Sequence, residues 1–160
     1  PAQARVTVVE FFDFQCPYSH LANKTVKELM ARYKGQSVKF VFRHFPIESI
    51  HPVALDAARA SMCAKEQNKF MEIQDLFYEG RDQLTKESLS QFAKAAGVGD
   101  INRFTACLAS RRYDNIIRRD QNDGAGLGIE GTPTFFVNKE KIEGAVASEV
   151  FIEAIDRALR

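Results

Sequence analysis

The amino-acid sequence predicts an α/β protein in which a small sheet is interrupted by a helical block. Residues 5–45 read as strand, helix and strand, residues 52–128 have helical periodicity almost throughout, and the remainder reads as two strands and a helix. At 160 residues the chain suits one compact domain with a large insertion. We therefore predict a sheet domain formed by residues 1–50 and 129–160, with residues 51–128 as an inserted helical subdomain.

The N-terminal segment has the pattern of a βαβ unit. RVTVVEFF at 5–12 is β-branched and aromatic, which is typical of a buried strand. Apolar residues recur at helical spacing over 17–34, and a glycine follows as a C-terminal stop. VKFVFRHF at 38–45 alternates and predicts a second strand, so Cys16 lies where the first strand gives way to the helix.

The middle of the chain predicts four or five short helices. Pro52 suits a first helical residue, and Thr85 and Asp100 are good N-cap residues. The expected breaks between helices are Gly80, Gly97 with Gly99, and Ser110.

The C-terminal segment completes the sheet. TFFVN at 134–138 predicts a strand, KIEG at 141–144 a short partner strand, and SEVFIEAIDRAL at 148–159 an amphipathic helix. The whole chain thus reads as βαβ, a helical block, and ββα.

Composition excludes several classes of protein. Lys and Arg number 22 against 21 Asp and Glu, and a net charge of +1 argues against nucleic-acid binding. No apolar run approaches the roughly 20 residues that would insert into a membrane.

Because the chain starts at Pro1 rather than Met, we expect that a signal peptide has been removed. Three cysteines would allow one pair and one free thiol.

Three stretches carry a family resemblance: VVEFFDFQCPY, the RHFP turn after the second strand, and GTPTFFVN near the end. Together they resemble the DsbA family of thioredoxin-fold thiol–disulfide oxidoreductases, and the resemblance extends over essentially the whole chain, including the helical insertion. It implies a thioredoxin fold, a catalytic cysteine at Cys16 and a cis-proline at Pro133 facing it. The sequence departs from most members at Ser19, where they have the second cysteine of a dithiol pair.

The residues around Cys16 predict the chemistry of the site. The unpaired N–H groups and the dipole of a helix N-terminus favour a thiolate, which is the nucleophilic form of cysteine. The resemblance implies a substrate site bordered by Pro17, Tyr18, Thr132 and Pro133, where an extended peptide is bound by strand addition.

Two further residues are candidates for tuning the site. Glu10 lies in an otherwise apolar strand and is either a buried acid, which in the family relays protons, or a strand-edge residue that faces water. His20 lies one turn beyond Cys16 and is a candidate for tuning its thiolate. The spacing of His20, His44 and His51 fits no zinc motif, and we expect no metal or other cofactor.

Cys63 and Cys107 both fall in the helical block, either as two buried thiols or as a disulfide. We favour the disulfide because the resemblance implies a periplasmic or otherwise extracytoplasmic protein, and some family members carry a bridge in this region.

Ser19 leaves three interpretations of the site open. The chain is an engineered Cys→Ser variant, a natural monothiol enzyme, or a binding module with an incidental cysteine, because a serine cannot resolve a mixed disulfide. The expected partners are protein or peptide thiols and disulfides, with a membrane redox partner or glutathione as further candidates. Two alternative functions are a glutathione-dependent transferase of kappa-like architecture and a non-catalytic peptide-binding chaperone.

Overall fold

The computed structural model describes residues 3–160 and contains seven α-helices and four strands in that range. In chain order the elements are β1 Val6–Phe12, α1 Pro17–Arg32, β2 Val38–His44, α2 Ala54–Lys65, α3 Phe70–Glu79, α4 Leu89–Ala95, α5 Ile101–Ser110, α6 Asp114–Gly126, β3 Thr134–Val137, β4 Glu140–Glu143 and α7 Ser148–Leu159. This order confirms the predicted α/β class, with five helices between β2 and β3.

The four strands form one mixed sheet in the order β2-β1-β3-β4. Strand β1 is parallel to β2 and antiparallel to β3, and β3 is antiparallel to β4. Glu10 in the central strand pairs with Phe42 on one side and with Phe135 on the other. Strand β1 has neighbours on both sides, which agrees with its nearly continuous apolar sequence.

Helices cover both faces of this sheet. Helices α1 and α7 pack on one face, where Leu29 and Phe151 share a buried cluster with Phe135 of β3. Helix α6 packs against the other face, where Gly124 lies close to the rings of Phe11 and Phe45.

The end of β1 is anchored in the helical block. Phe12 and Phe14 are buried in one cluster with Phe77 of α3 and Phe104 of α5. The rings of Phe14 and Phe77 meet edge to face at a centroid distance of 5.2 Å. Because residues 12–14 are fixed by this packing, the turn that leads to Cys16 has a defined position.

Most element boundaries lie within two residues of the predicted ones. Helix α2 begins two residues after the predicted start, at Ala54, because Pro52 lies in a turn. Thr85 is not the N-cap of α4, because that helix begins after Ser88, whose backbone N–H donates to Thr85 Oγ1 at 3.1 Å. Asp100 caps α5 as predicted, accepting the Arg103 N–H at 2.9 Å. None of the helices within residues 3–160 has both the length and the apolar character needed to cross a bilayer.

Candidate active site

Cys16 is the N-cap residue of α1 and is followed by Pro17 at the first helical position. A proline suits this position because the first N–H groups of a helix have no intrahelical partner. The Cys16 N–H donates to the Asp13 carbonyl at 3.1 Å, and the Cys16 carbonyl accepts the His20 N–H at 3.2 Å. The residue is 5% exposed, so the thiol is largely covered by its surroundings.

The segment before β3 brings a second part of the chain to this cysteine. The Thr132–Pro133 peptide bond is cis, as the resemblance implied. The Cys16 thiol donates to the Thr132 carbonyl at 3.2 Å. The Pro133 carbonyl accepts the Gly144 N–H at 2.9 Å, which connects this segment to the end of β4.

A groove of about 520 Å³ lies beside this contact. Tyr18, Thr132 and Pro133 line it together with two acidic residues, Glu130 and Glu143. Tyr18 is 61% exposed although it is aromatic, so it presents a large apolar surface at the groove. Three of the four residues predicted to border a substrate therefore line one groove, while Pro17 is exposed but is not part of its lining.

Ser19 is fully buried at the first turn of α1. Its hydroxyl accepts the Asp13 N–H at 3.3 Å, and no hydrogen bond joins Ser19 to Cys16 in the described part of the chain. In this arrangement the Ser19 hydroxyl stabilises the turn that precedes α1.

Asp13 is a site residue that the sequence reasoning missed. Its side chain is fully buried and accepts the backbone N–H groups of Gln15 at 2.7 Å and Ile47 at 2.8 Å. His51 Nδ1 lies 2.7 Å from the same carboxylate. The carboxylate thus links the active-site turn to the loop before α2. A lone acidic residue within the aromatic run 11–14 was the available signal, since a buried carboxylate needs partners.

Glu10 is a buried acid, so it is not a strand-edge residue that faces water, and its tuning role remains a prediction. It is 4% exposed, and burial raises its pKa to about 8. Burial also raises the pKa of Tyr78 well above its usual value, and the charges of Glu10, Asp13 and Cys16 add to this shift. The charges of these three residues therefore reach the Tyr78 hydroxyl, and no local sequence pattern singles out Tyr78.

His20 contacts the same tyrosine. Its ring stacks on that of Tyr78 with centroids 5.7 Å apart and an interplanar angle of 4°. Arg81 Nη1 lies 3.4 Å from His20 Nδ1. Because the ring faces Tyr78 and Arg81, a tuning effect on Cys16 would act through Tyr78, and that role remains a prediction.

The two other cysteines are joined. Cys63 of α2 and Cys107 of α5 form a disulfide with an S–S distance of 1.99 Å, the pairing that we favoured. Cys16 is therefore the one free cysteine, and all three cysteines fall within the described residues.

Comparison with known proteins identifies the family. A sequence pattern described as thioredoxin matches residues 1–157. The chain belongs to the thioredoxin family. Two solved structures share the fold. One is a thioredoxin-like oxidoreductase from Silicibacter pomeroyi, with 27% identity and a TM-score of 0.82 over 98% of this chain and 87% of that one. The other is the thiol-disulfide exchange protein alpha-DsbA2 from Wolbachia pipientis, with 20% identity and a TM-score of 0.87 over 98% of this chain and 83% of that one. The predicted DsbA-like thioredoxin fold is thereby confirmed. The predicted oxidoreductase class agrees with the Silicibacter pomeroyi structure, which is described as a thioredoxin-like oxidoreductase.

Curated relatives of this thioredoxin-family chain are longer proteins. It is 39% identical over 155 residues to Na(+)/H(+) antiporter NhaA 3 of Salinispora tropica, covering 97% of this chain and 23% of the relative. It is 33% identical over 159 residues to Na(+)/H(+) antiporter NhaA 1 of Mycolicibacterium vanbaalenii, covering 98% of this chain and 25% of that relative. The chain therefore spans about a quarter of the length of the curated relatives it matches.

Proposed function

We propose that this thioredoxin-family chain carries out thiol–disulfide exchange on proteins, with Cys16 as the nucleophile. The observation that carries the proposal is the position of the one free cysteine at the N-cap of α1, with its sulfur 3.2 Å from the Thr132 carbonyl and the groove alongside. The groove is large enough to hold a segment of a substrate chain next to this sulfur.

In the proposed step the Cys16 thiolate attacks one sulfur of a substrate disulfide. A new S–S bond forms between Cys16 and that sulfur, the substrate S–S bond breaks, and the second substrate sulfur leaves as a thiolate that takes a proton. We propose Glu10 as the group that exchanges this proton, because it is buried in the strand that leads to Cys16 and its pKa of about 8 lets it hold a proton at neutral pH.

Ser19 has no sulfur with which to release the captured partner. A thiol from outside the chain therefore resolves the mixed disulfide: it attacks the partner's sulfur and Cys16 leaves as a thiolate. The Cys63–Cys107 disulfide supports an oxidising, extracytoplasmic location, where such bonds persist. The proposal concerns only the thioredoxin-like quarter of the antiporter relatives, and ion transport is not part of it.

The test is capture of a neutral probe, 2-hydroxyethyl disulfide, followed by mass spectrometry without reduction. The wild-type protein should gain one hydroxyethylthio group, and Cys16→Ala should gain none, with the Cys63–Cys107 bond intact in both. Equal labelling of the two proteins, or no labelling of the wild type, would refute the proposal. A peptide-binding chaperone, in contrast, would bind peptide equally well after Cys16→Ala.

A further inference from the structure

The groove beside Cys16 is acidic. Glu130 lines it from the segment before Pro133, and Glu143 lines it from the end of β4. Both glutamates are exposed. Within residues 3–160, no lysine, arginine or histidine lines the groove. The described residues that line the groove therefore present two carboxylates and no cationic side chain to a reactant that approaches Cys16.

The two carboxylates differ in whether a cationic side chain pairs with them. Glu143 is paired with Lys141, whose Nζ lies 2.6 Å from Glu143 Oε1 and also donates to the Gly128 carbonyl at 3.1 Å. Glu130 has no ion-pair partner among the described residues. The field at the groove is therefore set mainly by Glu130, with Glu143 partly compensated.

A second observation concerns Thr132, which lines this groove. Thr132 is 8% exposed, and its Oγ1 has no hydrogen-bond partner in the described part of the chain. A buried hydroxyl without a partner is uncommon in a folded protein and needs an explanation. Thr132 also lines the groove and supplies the carbonyl that contacts the Cys16 sulfur, so a bound segment would lie beside the residue that contacts the nucleophile.

We infer that Glu130 and Glu143 make this site selective for cationic partners, namely protein segments with Lys or Arg next to the reacting sulfur, and that they disfavour glutathione. This inference rests on the proposed thiol–disulfide exchange at Cys16. Glutathione carries two carboxylates and one ammonium group at neutral pH. The groove volume of about 520 Å³ is large enough for a short peptide, so charge rather than size discriminates between the two classes.

The chemistry is the exchange step already described, and only the rate depends on charge. Opposite charges raise the local concentration of a reactant near a site, and like charges lower it. The Cys16 thiolate and the dipole of α1 also act on a charged reactant, so the contribution of the two glutamates is measured by changing them alone.

The experiment compares three small symmetrical disulfides: cystamine, which is a dication, 3,3′-dithiodipropionate, which is a dianion, and neutral 2-hydroxyethyl disulfide. For each disulfide, the rate of mixed-disulfide formation at Cys16 is measured by mass spectrometry. This rate is then divided by the rate at which the same disulfide reacts with a free small thiol. At low ionic strength cystamine should react roughly tenfold faster than the dianion. The ratio should fall toward one at about 1 M ionic strength, where charges are screened beyond about 3 Å.

Three variants separate the inference from other causes. The double variant Glu130→Gln/Glu143→Gln should reduce the cystamine preference severalfold, while Lys141→Gln should increase it by freeing Glu143. Glu87→Gln, an exposed glutamate in the helical block outside the groove, should leave the preference unchanged. An unchanged ratio in both groove variants would overturn this inference while leaving the exchange proposal standing. Failure of the neutral probe to react with any of the proteins would instead refute the exchange proposal.

Discussion

Glu10 and Asp13 are both buried acidic residues in the segment that leads to Cys16, but their surroundings differ. The Asp13 carboxylate accepts two backbone N–H groups and contacts His51, so its charge is compensated where it is buried. For Glu10 the cause of the raised pKa is burial itself. An acid in that condition stays protonated through neutral pH and is available for proton exchange.

The buried Glu10 predicts a particular dependence of stability on pH. Its pKa rises from 4.5 in the unfolded chain to about 8 in the folded protein, so the folded state binds more protons between these values. Its contribution to stability is therefore complete below pH 4.5 and is lost as the pH rises to about 8, at up to about 1.4 kcal/mol per pH unit. Urea denaturation of the wild type and Glu10→Gln from pH 5 to pH 8.5 should show this loss only in the wild type.

Glu87→Gln is the control for that series, since its side chain is exposed and the substitution should leave the wild-type pH dependence intact. Parallel pH profiles for the wild type and Glu10→Gln would mean that Glu10 is not held protonated by burial.

At the scale of elements, helix α6 is positioned by the close approach of a glycine to the sheet. A Cβ atom added at Gly124 would lie 2.8 Å from a ring carbon of Phe45 and 3.2 Å from one of Phe11. A Cβ added at Gly126, two residues along the same helix, would meet nothing within 4 Å. The two glycines thus form a matched pair, one at a packed contact and one in open space.

We predict opposite effects for the two Gly→Ala substitutions. Gly126→Ala should leave stability unchanged or raise it by up to about 1 kcal/mol, because alanine favours the helix. Gly124→Ala should lower stability by about 1–3 kcal/mol, because overpacking against the Phe45 ring outweighs that gain. Thermal and urea unfolding of both variants provide the measurement. An equal gain in stability for the two would show that α6 does not pack tightly on Phe45.

Element types could be predicted from the sequence, and contacts between distant elements could not. The alternation in 38–45 and the helical spacing in 17–34 are local patterns, so β2 and α1 were predicted to within two residues. The start of α2 lies two residues after the predicted one, because a proline suits a turn as well as a first helical position. The partners of Asp13 lie in a loop more than 30 positions away, and no local pattern reveals such a link.

At the scale of the whole molecule, the fold assembles a site from segments at opposite ends of the chain. Strand β1 delivers Cys16, and β3, antiparallel to it, delivers Thr132 and Pro133. Two of the three quoted sequence stretches, VVEFFDFQCPY and GTPTFFVN, contain these residues, which is why the resemblance could indicate the site. The acidic groove was missed because Glu130 and Glu143 become neighbours only when the segment before β3 folds back beside β4.

The central claim is that Cys16 captures a partner that Ser19 cannot release, and the most direct measurement is the lifetime of that mixed disulfide. Wild-type protein and Ser19→Cys are loaded with the same disulfide peptide, and loss of the adduct is followed by non-reducing mass spectrometry without added thiol. The wild-type adduct should persist, whereas the introduced sulfur, within the first turn of α1, should displace the peptide and form a disulfide with Cys16. Equal persistence of the adduct in both proteins would contradict the claim that the site is a thiol-exchange centre lacking only its resolving sulfur.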